Sequence, residues 1–143
     1  MSKHSLEIKK KFSVPADIIY DAWLDPKAIK EFMRPADIIT IPEPEIDASV
    51  GGAFLFNMHA GENVLPHKGE YKVLDRPTKI QFTWNSMNTN SEDSLVTITI
   101  TALDKNSCEL SLVHELLPTE SSKNDHNSGW SNILKTLNEL VLK

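Results

Sequence analysis

The chain is poor in several features that would narrow its function. Its 143 residues include one cysteine, Cys108, so no internal disulfide can form and a C-x-x-C zinc site is excluded. No apolar run approaches the roughly 18–20 residues that span a bilayer, and the first residues lack the apolar segment of a secretory signal. These absences predict a cytoplasmic protein without a membrane span.

Basic residues are also sparse, and the formal net charge is −5. A protein that binds duplex nucleic acid needs a basic face to displace counterions. The longest basic run is Lys9–Lys11, and in an extended strand those side chains alternate between two faces. Nucleic acid is therefore excluded as an expected partner.

The N-terminal quarter predicts a strand followed by two short helices. Residues 6–14 alternate between apolar and polar side chains, which is typical of a half-buried strand. Pro15 then suits the first turn of a helix, and Asp25 suits the N-cap of the next. The apolar residues at helical spacing are Ile18, Ile19, Ala22 and Trp23 in the first helix, and Ile29, Phe32 and Met33 in the second.

The middle of the chain predicts about six strands joined by turns, which form an antiparallel meander. Gly51-Gly52 predicts a turn or bulge, because glycine reaches positive φ without strain. The polar segment 86–93 predicts a mobile hairpin loop. The predicted inner faces are Phe54, Phe56 and Met58; Gly69, Tyr71 and Val73; Ile80, Phe82 and Trp84; Val96, Ile98, Ile100 and Ala102; and Cys108, Leu110, Leu112, His114 and Leu116.

A long one-sided helix is predicted from about residue 124 to 142. Its apolar stripe must pack on the concave face of the sheet, since no other surface is offered. The predicted fold is therefore α+β, one domain over residues 1–143, with a curved antiparallel sheet around a C-terminal helix. Such a pairing leaves room for a cavity lined by aromatic and a few polar groups. The stripe consists of Trp130, Ile133, Leu134, Leu137, Leu140 and Val141.

Four groups of residues follow one another along the chain: Ala22-Trp23-Leu24-Asp25-Pro26; Asp47 with Gly51-Gly52-Ala53-Phe54; Gly69-Glu70-Tyr71 with Arg76-Pro77, Ile80, Phe82, Thr83 and Trp84; and Gly129-Trp130 with Leu134 and Leu137. In this order they resemble the activator of heat-shock-protein-90 ATPase homologue family, within the START/birch-pollen-allergen helix-grip superfamily (SRPBCC). The resemblance covers nearly the whole chain and implies the helix-grip fold with a central cavity. Family members often carry tryptophan where this chain has Phe32.

A pocket under the C-terminal helix is the predicted ligand site. Phe56, Tyr71, Trp84 and His114 each fall on the more apolar face of their strand, and Trp130 begins the apolar stripe of the helix. His114 and Tyr71 are the polar groups expected to orient an otherwise apolar ligand. The alternative is that all five are core residues, since large aromatic side chains usually are.

No catalytic residue, metal site or cofactor is predicted. His59, His67 and His126 fit no familiar ligand spacing, and Ser128-Gly129-Trp130 lacks the Gly-x-Ser-x-Gly pattern of a nucleophile elbow. The superfamily includes lipid and hormone carriers, polyketide cyclases, hydroxylase subunits and co-chaperone domains, so the resemblance leaves function open. Three hypotheses follow: a module that binds a small apolar ligand, a protein-interaction domain that stimulates a heat-shock-protein-90 ATPase, and a cyclase-type or hydrolase-type enzyme.

Overall fold

The strands of the computed structural model, which describes residues 4–142, form one seven-stranded antiparallel sheet. Three α-helices accompany it and give the predicted α+β helix-grip fold, with the curved sheet wrapped around the C-terminal helix. Across the sheet the order is β1 (His4–Phe12), β7 (Ser107–Leu117), β6 (Ser94–Asp104), β5 (Lys79–Trp84), β4 (Asn63–Asp75), β3 (Ala53–Ala60) and β2 (Glu45–Ile46). The helices are α1 (Ala16–Ala22), α2 (Pro26–Phe32) and α3 (Glu120–Val141).

Local sequence signals account for the two short helices. The side chain of Asp25 caps α2 by accepting a hydrogen bond from the backbone N–H of Lys27 at 3.0 Å. In α1 the predicted face is rotated, because Ile18 is 46% exposed while Tyr20 is buried. Helix α1 packs against β6 and β7 of the sheet, and α2 packs against α3.

Two positions in and beside the sheet require glycine, one for a turn with positive φ and one for a close contact with an aromatic ring. Gly51 has φ of 86°, which confirms the predicted turn before β3. Gly69 lies opposite Phe54 in the β3–β4 ladder, and a Cβ on Gly69 would stand 2.5 Å from the Phe54 ring. The Phe54 ring therefore occupies the space that a side chain at residue 69 would need.

Two bulges shift residues away from their predicted faces. In β4 the register changes between Tyr71 and Val73, so Leu74 rather than Val73 packs against the core. In β7 the residue Leu116 has φ of 65° and is 47% exposed, while Leu117 is buried. An inserted residue reverses the two-residue alternation, and sequence alternation alone does not reveal it.

The segment between β5 and β6, for which a mobile hairpin loop was predicted, contains a short helical turn. Met87–Thr89 forms a turn of 3₁₀-helix with a capping box, in which Ser86 and Thr89 bond each other's backbone N–H groups. Thr89 is fully buried. Polar residues here satisfy one another locally, which the prediction from polarity alone missed.

Helix α3 begins at Glu120, earlier than the predicted residue 124. Thr119 caps it, with its hydroxyl accepting from the backbone N–H of Ser122 at 3.0 Å. The face toward the sheet carries Trp130, Ile133, Leu134 and Leu137, all buried. Within residues 4–142 no helix is both long and apolar enough to cross a bilayer.

Candidate functional site

A cavity of about 100 Å³ lies between the first half of α3 and the inner face of the sheet. It is smaller than the roughly 300–1,000 Å³ of sites for drug-sized ligands, so a small molecule or one part of a larger molecule would fit. The side chains of the floor are buried and those of the rim are partly or fully exposed. The floor consists of Met58, Trp84, His126, Trp130 and Ile133, and the rim of Pro35, His67, Asn88, Asp125 and Gly129.

His114 sits behind this cavity in a chain of hydrogen bonds. The indole N–H of Trp130 donates to Nδ1 of His114 at 2.9 Å. An indole nitrogen only donates, so the proton of the neutral imidazole lies on Nε2, which donates to Oγ of Ser94 at 2.7 Å. Ser94 in turn donates to the backbone carbonyl of Trp84. Both nitrogens of His114 are therefore engaged within the protein.

The surroundings of His114 keep it neutral. Burial, the larger cause, and the neighbouring His126 together lower the pKa of His114 to about 2. The two rings meet edge to face with centroids 4.7 Å apart. A second proton on His114 would also point an N–H at the N–H of Trp130.

The hydrogen bonding of His126 differs from that of His114. Its Nδ1 lies 2.7 Å from the backbone carbonyl of Ser122, an acceptor, so Nδ1 carries the proton. Burial lowers the pKa of His126, while the bond to Ser122 and the charge of Asp125 act in the opposite direction. The neutral ring thus holds an acceptor lone pair on Nε2, and His126 is part of the cavity floor.

His67 stands at the rim on β4. Its Nδ1 lies 2.8 Å from the carbonyl of Leu65, and its ring centroid is 5.2 Å from that of Trp84. Burial is the main cause that lowers the pKa of His67, with His126 contributing. Two neutral imidazoles therefore border the same cavity.

Of the five predicted site residues, the structure places Trp84 and Trp130 on the cavity, with ring centroids 5.1 Å apart. His114 bonds Trp130 from behind. Phe56 and Tyr71 lie deeper, in an aromatic cluster around Phe54 with centroid distances of 4.7 and 5.5 Å. Burial also raises the pKa of the Tyr71 hydroxyl.

Trp23 completes the aromatic wall behind Trp130, with centroids 6.1 Å apart. Phe32 meets Trp23 edge to face with ring centroids 5.2 Å apart. The indole N–H groups of Trp23 and Trp84 are buried and have no hydrogen-bond partner within residues 4–142. Trp130 alone of the three tryptophans has its N–H bonded there.

Sequence reasoning did not assign His67 and His126 to the pocket. His67 precedes Gly69 and Tyr71 by two and four residues, so strand alternation already placed it on the inner face. His126 lies four residues before Trp130 and shares its helix face. The late predicted start of the helix hid that relation, because it left His126 in the first turn.

Within residues 4–142, neither the cysteine nor the potential metal ligands form a second reactive site. Cys108 is fully buried, and burial raises the pKa of its thiol, which disfavours the reactive thiolate. Across the described range, 4–142, no group of three or more His, Cys, Asp or Glu side chains is placed to hold a metal ion. The cavity beneath α3 is therefore the feature that the following argument uses.

Comparisons with known proteins agree with this architecture. The model of the family described as Activator of Hsp90 ATPase homolog 1-like protein matches residues 13–141. No curated protein matches the sequence. Protein CV1439 from Chromobacterium violaceum is 26% identical, with 96% of each chain covered and a TM-score of 0.81.

Two further solved structures share the fold at lower identity. An HSP90 activator from Plasmodium falciparum is 23% identical over 96% of this chain and 95% of that one, with a TM-score of 0.77. The AHSA1 protein from Silicibacter pomeroyi is 22% identical over 97% and 99%, with a TM-score of 0.81.

Proposed function

Because this chain belongs to the Activator of Hsp90 ATPase homolog 1-like family, within the helix-grip fold, we propose that it binds a small, largely apolar molecule beneath α3. The observation that carries the proposal is the cavity itself, which interrupts a packed core and has an apolar floor and a polar rim. Cavities with that distribution of groups are the usual form of small-molecule sites.

The five predicted site residues take different roles in this proposal. Trp84 and Trp130 contact the ligand directly, because both line the cavity. His114 fixes the orientation of the Trp130 ring through their hydrogen bond. Phe56 and Tyr71 support the wall from behind; Phe56 lies with its ring centroid 6.5 Å from that of Trp84.

Native mass spectrometry of the protein as purified from cells tests this proposal. We expect a retained small molecule in the native protein. Gly129→Leu should abolish its retention, because a Cβ at residue 129 already stands 3.0 Å from Pro35 and a longer side chain fills the rim. Ser128→Leu is the matched control, since Ser128 is exposed and outside the lining.

Comparison of the two variants distinguishes binding in the cavity from binding at the surface. Loss of the molecule in Gly129→Leu with retention in Ser128→Leu supports the site. If the native protein holds nothing and also fails to bind small aromatic compounds at millimolar concentration, the ligand-binding proposal is wrong.

Protein interaction is the second candidate, and a separate surface groove favours it. The groove lies between α1, α2 and the end of α3, and acidic side chains border its apolar base. The P. falciparum structural neighbour is described as an HSP90 activator, which makes an HSP90-type chaperone the partner to test. The lining is Ile18, Asp21, Ala22, Asp25, Lys27, Ala28, Glu31, Leu140 and Val141.

A chaperone ATPase assay tests that second candidate. The chain should raise the ATP turnover of a purified HSP90, and Ile18→Asp should remove the effect by placing a charge on the apolar base of the groove. Ile38→Asp is the control, because Ile38 is 81% exposed and lies outside the groove. Unchanged turnover with the native chain rejects this candidate for the chaperone used.

A further inference from the structure

His126 offers the cavity a hydrogen-bond acceptor. Nδ1 of His126 is committed to the carbonyl of Ser122, so the acceptor nitrogen Nε2 is left for another partner. Within residues 4–142 the hydrogen bonds of the His126 ring are all made by Nδ1. Because His126 lines the cavity, this nitrogen can accept a hydrogen bond from an occupant.

The charge of the lining residues restricts which chemical groups the cavity can bind. The lining includes the carboxylate of Asp125 at the rim and neither lysine nor arginine, so it repels anions. An ammonium group would carry a full charge onto a floor of Met58, Ile133 and indole rings, and burying a charge among apolar groups is costly. A neutral group with an O–H avoids both penalties and donates to the lone pair of His126.

Shape and size complete the description. The cavity of about 100 Å³ is bounded on one side by the rings of Trp84 and Trp130, whose planes are inclined at 53°. A single aromatic ring buries apolar area against such walls and gains from offset or edge-to-face contact. A ring of that size with one hydroxyl satisfies the volume, the walls and the acceptor together.

We propose that the site selects phenol-type molecules, with the ring against Trp84 and Trp130 and the hydroxyl donating to Nε2 of His126. This inference rests on the proposed ligand-binding function and specifies the ligand class. It assigns the polar contact to His126, because His114 has both nitrogens bonded inside the protein.

The first test uses the native protein and three ligands of similar shape. Phenol can donate a hydrogen bond, anisole can only accept one, and toluene can do neither. One net hydrogen bond corresponds to about tenfold in affinity, so phenol should bind about tenfold more tightly than toluene and anisole. Dissociation constants come from protein-observed NMR titrations.

The second test removes the acceptor. His126→Phe keeps a ring of similar size and should bring the affinity for phenol down to that for toluene. His59→Phe is the matched control, because His59 on β3 is outside the cavity lining and should leave the tenfold preference intact. Near-ultraviolet circular dichroism reports whether each variant is folded.

The outcomes distinguish this inference from the proposed function. Equal binding of the three ligands to the native protein overturns the phenol assignment and leaves the ligand-binding proposal standing. Binding of none of them overturns the phenol assignment, and it overturns both proposals when the native protein also retains no molecule. A preference for phenol that survives in folded His126→Phe also overturns the assignment, and if that variant does not fold, the three-ligand comparison on the native protein decides.

Discussion

The imidazole of His114 joins several elements of the fold through its two nitrogens. It lies on β7, accepts from Trp130 on α3 and donates to Ser94 on β6. Because Ser94 also bonds the carbonyl of Trp84 on β5, the chain of bonds reaches across three adjacent strands and the helix. At this scale His114 is a structural residue that holds the helix in a defined rotation.

Removing that imidazole should therefore reduce stability. His114→Leu leaves the Trp130 indole and the Ser94 hydroxyl each without a partner, and an unsatisfied buried group costs about 1–3 kcal/mol. We expect a loss of about 2–4 kcal/mol in the free energy of unfolding, measured by urea titration. His114→Gln can still donate and accept, so it should lose clearly less. A loss under about 0.5 kcal/mol for His114→Leu would contradict the bonding described.

The sequence showed which residues are inward but not what they bond. Alternation correctly placed Trp84 and His114 inside, because burial of a strand face is a local property. Whether an inward histidine faces a cavity or a partner depends on Trp130 and Ser94, which are 16 and 20 residues away. Single-sequence patterns contain no information on that tertiary contact.

At the scale of the elements, the apolar face of α3 holds this helix against the sheet. Leu137 is fully buried on that face, whereas Leu142 just after the helix is 57% exposed. Leu137→Ala should lower the free energy of unfolding by about 2–5 kcal/mol, the usual range for buried large-to-small changes.

Leu142→Ala is the control for that measurement, since it removes the same atoms from an exposed position. It should change the free energy of unfolding by less than about 0.5 kcal/mol. Equal effects of the two variants would mean that α3 is not docked as described.

The end of β7 holds a residue in a costly conformation. Leu116 has φ of 65°, a region that costs a residue with a Cβ about 1–2 kcal/mol. Asparagine tolerates this region better, and Leu116 is half exposed, so little apolar burial is lost. Leu116→Asn should raise the free energy of unfolding by about 0.5–1 kcal/mol in denaturant titrations. Leu103→Asn, at an equally exposed position without positive φ, should not stabilise the protein.

The types of the helices and strands were predictable, whereas the residues at which they begin and end were less so. Proline and aspartate signals located α1 and α2, because capping is a local interaction. The start of α3 was placed too late, since the residues from Glu120 to Lys123 are polar and carry no apolar period. The bulges in β4 and β7 insert one residue into a ladder, and only the partner strand reveals them.

For the molecule as a whole, the buried imidazoles of His114 and His126 and the half-buried imidazole of His67 should make stability depend on pH. Burial lowers the pKa values of His67, His114 and His126 in the folded protein, and unfolding returns them to about 6.5. Below that pH the unfolded chain binds more protons than the folded one, so stability falls as pH falls. Above it the contribution is fully present.

We therefore expect the free energy of unfolding to drop between pH 7 and pH 5. A histidine that stays neutral in the folded state accounts for about 2 kcal/mol of that drop. His114→Gln should reduce the drop by about that amount, because glutamine does not titrate. A pH-independent free energy over this range would show that these imidazoles become charged without unfolding.

The overall architecture followed from the sequence because every strand and helix buries one face. Once the apolar faces are paired, a meander of antiparallel strands and a single long amphipathic helix leave few ways to close a core. A cavity with aromatic and a few polar groups was expected from that mismatch of surfaces, but the polar residues that line it were not those expected. Asn88 comes to the rim from a 3₁₀ turn that was not predicted, and Asp125 comes from an early turn of α3, whose predicted start was too late.

The two open edges of the sheet bear on how the chain behaves at high concentration. One edge is β2, only two residues long, with Pro42 and Pro44 just before it. The other is β1, where Lys9–Lys11 place positive charge on both faces of the strand. Short edge strands, prolines and lysines all oppose the addition of a strand from another molecule. The fold thereby resists edge-to-edge aggregation, which would otherwise threaten a sheet that does not close on itself.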